Sequence, residues 1–424
     1  KISKMFRIGL YLNFYKFLLG IFSFKKSLKI NKLIKKEIAD QSKKKYVVLS
    51  SQCRTGFLQI LEFLKKDKKK EIIFSSYNLP EMINVAKNLG YKIKFCDLDY
   101  KTGFIDLKKI KKIINKNTAI IVMTNMFNDY FVSKKLKKIA KKFQIILIED
   151  NAIYFDNFLR QKSKKIFSGN LGDYTIYSFN IMKNISALYG GAVSTNDKKF
   201  IEYYKKKQKV LKNFSKMILL NQIYIFLILK LISLKIVYEF IFFYIIKLAH
   251  QKNIRALLKI FYPSLKFKII SFPRNYFTKI SSLSSRLIYL QLKDKKERQY
   301  NFLKRRSKNI YYYNHLRKIK SKGNISFIKI NDINYQNFID FPILVKHKRK
   351  LNQFLLNKGI ETRYLYYNNC ENIFNQKQKK ICFNAEKYEK ELICLPNHRK
   401  ITFKYMDYII KSIEAFCSKK NLND

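Results

Sequence analysis

Between residue 46 and about residue 200, short β-branched or apolar runs alternate with Lys-rich amphipathic segments. This alternation constrains the fold more than any other feature of the chain. A strand without a polar face has to be covered on both sides, and a strand-helix repeat achieves that by laying a parallel sheet between two helical layers. Tyr46 to Ser50 (YVVLS), Glu71 to Phe74 (EIIF), Lys92 to Cys96, Thr118 to Thr124 (TAIIVMT) and Phe143 to Ile148 read as strands. Thr55 to Lys65, Glu81 to Leu89, Leu107 to Asn115 and Ser133 to Lys142 read as the helices between them. Two further strands, Tyr174 to Phe179 and Ala192 to Thr195, bracket Lys183 and the pair Gly190-Gly191.

The pattern is mainly helical from about 200 to 335. It then gives a strand (Phe338 to Val345), a helix (Lys350 to Lys358), a short strand (Thr362 to Tyr367) and a terminal helix (Phe403 to Phe416). The expectation is an α/β protein whose large domain holds a mostly parallel sheet between helices, followed by a small C-terminal α+β domain. Its parts are an apolar and basic N-terminal segment (1–34), the large domain (35–209), an apolar helical insertion (210–270), and connecting helices with the small domain (271–424).

Lys and Arg number 88 against 29 Asp and Glu, a formal charge of +59, which attracts phosphate-bearing partners of any kind. The charge alone names no partner, and a solvated Lys-rich exterior accounts for it equally well. With 47% hydrophobic and 16% aromatic residues the chain is excluded from the disordered polyelectrolytes. Six cysteines are widely spaced without a CxxC pair, and four histidines are scattered. Neither a disulfide framework nor a metal site is indicated, and the cytoplasm is the default location.

Two apolar stretches complicate that default. Ile8 to Phe24 is interrupted by Lys16, and Met217 to Ala249 by Lys230, Lys235, Glu239 and Lys247. Neither offers the roughly 18 uncharged residues that a spanning helix needs. Apolar helices flanked by Lys lie in the headgroup layer of anionic membranes, so residues 217–249 are read either as a peripheral contact at the inner membrane face or as a buried insertion or dimer contact.

Three short segments carry the chemistry. Lys183 lies in a turn between an apolar strand and Gly190-Gly191, where burial would lower its pKa and make the amine nucleophilic. Ser178, five residues earlier, could donate to a phosphate. Ile146-Leu147-Ile148-Glu149-Asp150 is an apolar run ending in two carboxylates, at the end of a strand where α/β sheets bind ligands. A cap or a solvating loop group is the plainer reading of such a pair. Ser51 to Phe57 is a polar turn before a helix, whose amides could bind phosphate with Arg54 or Thr55 as added donors. Ordinary capping by Ser51 or Thr55 explains the same residues.

Taken in order, these segments resemble the DegT/StrS-type sugar aminotransferases, a branch of the fold-type I pyridoxal-phosphate enzymes. Phe95 to Asp99, Leu171-Gly172-Asp173, Gly190 to Asp197, Gly359 to Arg363 and Leu395-Pro396 extend the resemblance from about residue 35 to 417. The resemblance implies pyridoxal 5'-phosphate as cofactor, with Lys183 forming the internal Schiff base and then serving as general acid and base. It implies that Asp150 pairs with the pyridine nitrogen, and that Ser178 and the backbone around Cys53 and Arg54 hold the phosphate. It further implies a homodimer in which Asn275 comes from the partner subunit. The reaction implied moves an amino group from an amino acid, usually glutamate, to a nucleotide-linked keto sugar used in surface polysaccharides.

The chain departs from the family's pattern at several positions. Leu79 stands about where many members stack an aromatic ring on the cofactor, with Tyr77 the nearby substitute. Ile153 stands where His or Gln is common, and Cys53 where glycine is usual. A related sugar dehydratase, typically carrying His at the Lys183 position, is one alternative. A non-catalytic basic protein that binds anionic membrane is another, with nucleic acid the less favoured ligand. His398 reads as a loop residue, and Arg363 as an exposed strand-end residue more than a substrate ligand.

Overall fold

The computed structural model describes residues 3–23, 27–65, 70–161, 164–262, 271–319, 324–374 and 380–418. Seven strands form the main sheet: β1 (Tyr46–Ser50), β2 (Glu71–Ser75), β3 (Lys92–Cys96), β4 (Thr118–Thr124), β5 (Ile146–Asp150), β6 (Tyr174–Ser178) and β7 (Gly191–Thr195). Their spatial order is β1-β7-β6-β5-β4-β2-β3. The pairs β6/β5, β5/β4, β4/β2 and β2/β3 are parallel, whereas β7 runs antiparallel to both β6 and β1.

Period-2 alternation splits the strands between two cores. Ile72, Phe74, Ile120, Val122 and Ile148 bury on one face, while Ile73, Ile121, Met123 and Leu147 bury on the other. This is the doubly covered sheet that the sequence pattern predicts.

One strand boundary differs from the expectation. Phe143 is not in a strand but ends the helix Tyr130–Lys142, its amide donating to Ile139 O and Lys141 O. Gln144 then takes a left-handed φ of 53°. A helix must reverse before its chain can enter a sheet, and those residues are used for the reversal. The strand therefore starts at Ile146 and carries Glu149 and Asp150 within its register.

In the small domain, Ile325–Ser326, Phe341–Val345 and Leu392–Leu395 form an antiparallel sheet, packed against the helices Lys348–Asn357 and Phe403–Cys417. The strand expected over Thr362 to Tyr367 reduces to a bridge between Arg363 and Cys394. Just beyond it, Asn368–Asn369 pairs with Tyr77–Asn78 and stitches the small domain to the large one.

The N-terminal helices are Phe14–Phe22 and Ser27–Ser42; the second runs across residue 34 and packs on Ser282–Lys293. The insertion is a helix Lys216–Ile232, a bend at Ser233 and Leu234, and a second helical run to Gln251 that includes a π-helical turn, Tyr238–Phe242. The two arms meet at 81°. Among the described residues no single helix is long and apolar enough to cross a membrane.

The inner face of the insertion buries Phe226, Ile232, Tyr238, Phe243 and Ile246, and Phe226 meets Phe17 of the first helix with ring centroids 4.7 Å apart. A buried ion pair ties the N-terminal segment to the rest of the fold: Arg7 Nε lies 2.9 Å from Glu361 Oε1. The Tyr238 hydroxyl donates to Glu361 Oε2 at 2.7 Å.

Candidate active site

The carboxyl end of β5 gives its two acids different tasks, because adjacent strand residues face opposite sides of the sheet. Glu149 turns to one side and accepts from the amides of Gly169 (3.0 Å), Leu171 (2.8 Å) and Gly172 (2.8 Å) and from Asn125 Nδ2 (2.9 Å). It fixes the loop that leads into β6. Asp150 turns to the other side, where it is buried, accepts from Ala152 N at 3.0 Å and faces Lys183. Burial raises its pKa, and the amide of Ala152 and the charge of Lys183 partly offset that rise.

Lys183 lies in the loop that joins β6 to β7. Its base is closed by Phe179 N to Gly190 O (2.9 Å) and Ala187 N to Phe179 O (2.8 Å). Within it, Lys183 N donates to Asn180 O at 3.0 Å. Gln291 clamps Ser186 from both sides, accepting from Ser186 N (3.0 Å) and donating to Ser186 O (2.6 Å). Asn184 donates to Phe155 O at 3.2 Å and accepts from Arg305 at 2.6 Å. The loop is therefore held at several points around the lysine. Burial lowers the pKa of Lys183, and the negative charge of Asp150 partly restores it.

The third element is the turn between β1 and the helix Cys53–Leu64. Its N-cap Gln52 makes no side-chain capping bond, and the Ser51 hydroxyl is spent on Thr55 Oγ1 at 3.0 Å. The capping explanation of Ser51 and Thr55 therefore does not account for the first amides of this helix. Gly191 at the start of β7 lies so close that a Cβ there would sit 2.4 Å from Cys53 N. Ser178 pairs with Gly191 across the sheet, which brings it to the same turn.

The Arg54 side chain instead points to Glu81 (3.6 Å) and stacks 5.9 Å from the Tyr276 ring. Burial raises the Cys53 thiol pKa above its ordinary value, so this cysteine stays neutral. Asn275 reaches the turn from within the same chain, where its carbonyl accepts from Ser51 Oγ at 3.3 Å. Among the described residues its Oδ1 is buried without a partner, as is Gln52 Nε2.

Lys183 opens into a cavity of about 380 Å³ lined also by Leu79, Ile153, Asn180 and Arg363. Tyr77 does not reach it. That ring is buried between Tyr367 and Tyr388, and its hydroxyl accepts from Tyr367 N at 3.2 Å. Arg363 corrects the expectation of an exposed strand-end residue: its side chain is 24% exposed, lines the cavity and pairs with Asp340 at 3.1 Å.

His398 is a buried anchor, bonded through Nε2 to Phe6 O at 2.8 Å, with burial pushing its pKa down to about 4. Sequence reasoning missed Arg7, Tyr262 and the face of the insertion's first helix that carries Gln222, Ile225 and Leu229, all of which line the cavity. Their only signal in the sequence is apolar periodicity, which says that a face is covered and not by what.

A buried carboxylate, a lysine on a clamped loop and an uncapped helix start are gathered at the strand ends of an α/β sheet of the fold-type I architecture. Residues 26–218 and 273–414 match the model of the DegT/DnrJ/EryC1/StrS aminotransferase family, and the chain belongs to that family. The unmatched interval between them covers most of the insertion.

The chain is 29% identical over 141 residues to the Campylobacter jejuni UDP-4-amino-4,6-dideoxy-N-acetyl-beta-L-altrosamine transaminase, covering 32% of this chain and 36% of that one. It is 28% identical over 172 residues to a Yersinia pseudotuberculosis GDP-4-keto-6-deoxy-D-mannose 3-dehydratase, covering 39% and 43%. The chain thus spans less than half the length of these curated relatives. A Helicobacter pylori aminotransferase involved in the biosynthesis of pseudoaminic acid shares the fold, with a TM-score of 0.69 at 17% identity over 97% of this chain and 98% of that one.

Proposed function

We propose that this chain is a pyridoxal-phosphate-dependent aminotransferase that moves an amino group from an amino acid, with glutamate the first candidate, to a nucleotide-linked keto sugar. The observation that carries this reading is the buried Asp150 at the carboxyl end of β5, whose charge acts on the buried Lys183, with Lys183 on the wall of a cavity. The residues present fit the cofactor. The uncapped amides of the helix at Cys53, the Ser178 hydroxyl and the buried Gln52 Nε2, which has no partner among the described residues, are donors that suit a phosphate. Gly191 leaves room for the turn's backbone.

Pyridoxal phosphate supplies an electron sink for the carbon that carries the amine. Asp150 holds a proton on the ring nitrogen, a task that needs an ionised carboxylate. Lys183 Nζ, its pKa lowered by burial, holds the cofactor and then carries a proton to and from the substrate carbon. Arg363 supplies a cation for the anionic part of either substrate. Ile153 and Leu79 give an apolar wall in place of a polar or stacking one, so orientation rests on the phosphate turn and on Asp150.

Two further parts of the reading are a homodimer and a peripheral contact of residues 217–249 with the inner face of a membrane. The direct test is an absorption spectrum with added cofactor, followed by borohydride trapping and peptide mass spectrometry, on the parent and on Lys183→Ala. Cofactor mass on the Lys183 peptide of the parent, absent from the variant, is expected. A spectrum of free cofactor from both proteins would end the enzyme reading.

A further inference from the structure

A second cavity, of about 470 Å³, lies at the bend of the insertion, away from Lys183. Three separated parts of the chain build it: the N-terminal segment, the bend itself and the first turn of the helix Phe403–Cys417. Lys4, Lys235, Lys400 and Lys404 line it, Phe6 and Leu234 provide apolar surface, and among the described residues no carboxylate side chain takes part. Lys400 Nζ reaches Ser233 O at 3.4 Å, and Lys4 Nζ reaches Glu239 O at 3.2 Å. Neither carbonyl carries the charge needed to balance an ammonium.

A neighbouring crevice adds Lys230 and Arg399. Burial, together with the charges of Arg399 and Lys400, pushes Lys230 down to about 8. Arg399 is balanced by Glu297 at 2.9 Å, but the described residues lining the main cavity set no carboxylate against its lysines, which together form an anion site with an apolar side.

The surroundings say what kind of anion. Lys235 is flanked in sequence by Leu234, 54% exposed, and Ile236, 73% exposed, and Phe240, Ile241 and Tyr244 continue the exposed apolar surface. The first helix adds Phe14, Tyr15 and Phe22, and its contact with Phe226 makes the two surfaces neighbours. The bend itself lies in the interval that the family model leaves unmatched, and the N-terminal residues precede its first match, whereas Lys400 and Lys404 lie within its second matched stretch.

We infer that this cavity is a headgroup pocket for anionic phospholipid, with the bent insertion resting its outer apolar face among the acyl chains and Lys4, Lys235, Lys400 and Lys404 closing on the phosphate. This deepens, and rests on, the membrane contact proposed above; it is independent of the chemistry at Lys183. A lipid headgroup is favoured over a free phosphate because the cations and the exposed apolar residues share one bend.

The test is flotation of the full chain with vesicles of phosphatidylcholine alone and of phosphatidylcholine with phosphatidylglycerol. Lys235→Ala/Lys404→Ala is compared with Lys135→Ala/Lys138→Ala on the distant helix Tyr130–Lys142, and cofactor capture at Lys183 reports folding in the same samples. Binding to the anionic vesicles is expected to fall roughly thirtyfold in the first variant, from about 1 kcal/mol per lysine at an anionic surface, and less than threefold in the second. Ile236→Ser/Phe240→Ser should also lose binding.

Equal losses in the two lysine variants, or equal binding to both vesicle types, would overturn the pocket and leave the membrane contact standing. Absence of binding to any vesicle would overturn both. A thermal shift by inorganic phosphate that needs Lys235 and Lys404, without vesicle binding, would make the cavity a soluble-anion site and refute the lipid.

Discussion

Arg7→Met is the most informative stability perturbation, because Arg7 and Glu361 are both buried and together hold the N-terminal segment against the small domain. Burial already raises the Glu361 pKa, and Arg7 and the Tyr238 hydroxyl are the groups that lower it. Removing Arg7 strands a buried carboxylate, a change worth about 3–5 kcal/mol. With an unfolding entropy of about 2.1 cal/mol/K per residue, 424 residues give ~0.9 kcal/mol/K. The expected drop in Tm at pH 8 is therefore about 3–6 °C.

The pH dependence carries the sign. In the variant the folded-state pKa of Glu361 rises further above its unfolded value. The folded protein then binds more protons than the unfolded chain between those two values, and stability falls as pH rises through that window. The deficit should shrink as the pH is lowered from 8 towards 5, and Arg7→Met/Glu361→Leu should recover most of it, less the unpaired Tyr238 hydroxyl. Thermal unfolding followed by circular dichroism at both pH values measures this. A deficit that is the same at both, or a double variant no better than the single one, would refute the reasoning.

Because its folded pKa is depressed, Lys183 contributes stability that rises with pH through the window below its ordinary 10.5. Borohydride trapping of the cofactor should set in below that value, and Asp150→Asn, which removes the charge that raises Lys183, should move the onset lower still; an onset that does not move would show the two groups to be uncoupled. Gly191→Ala should weaken cofactor binding and cost about 1–3 kcal/mol of stability, since its Cβ would lie 2.4 Å from Cys53 N; unchanged cofactor affinity by fluorescence titration would count against a tight β7 contact. Glu149→Gln keeps the size but loses the charge shared by three loop amides, and should destabilise by about 1.5–3 kcal/mol in urea unfolding, with cofactor capture retained.

Much of this was legible in the sequence where the physics is local. The strand Thr118–Thr124 appears with the predicted bounds because a continuous apolar run leaves it no solvated alternative, and Lys92–Cys96 does so with an alternating pattern whose lysines stay towards solvent. The Lys183 loop was legible from the short strand before it and the glycines after it. Phe143 was misread because an apolar residue serves equally as a helix cap and as a strand start, and only the left-handed Gln144 separates the two.

Tyr77 lies in a two-residue strand and Leu79 caps the helix that follows, and it is the pairing of Tyr77–Asn78 with Asn368–Asn369, nearly three hundred residues away, that holds the ring inward. Arg363 was unreadable for the same reason, since its partner Asp340 and the cavity it faces come from other parts of the chain. No local pattern announces that Gln222, Ile225 and Leu229 wall the Lys183 cavity.

The reversed strand β7 has a consequence for how such a site can change. Because it runs against both neighbours, its first residue lies beside the last residue of β6, and the segment holding Lys183 leaves and re-enters the sheet at one edge. Residues can be gained or lost between Ser178 and Gly191 without shifting the register of any parallel pair. Lys183 thus sits on a segment whose length can change independently of the sheet, provided the contacts of Gln291 and Arg305 with it are kept, while β5 stays put.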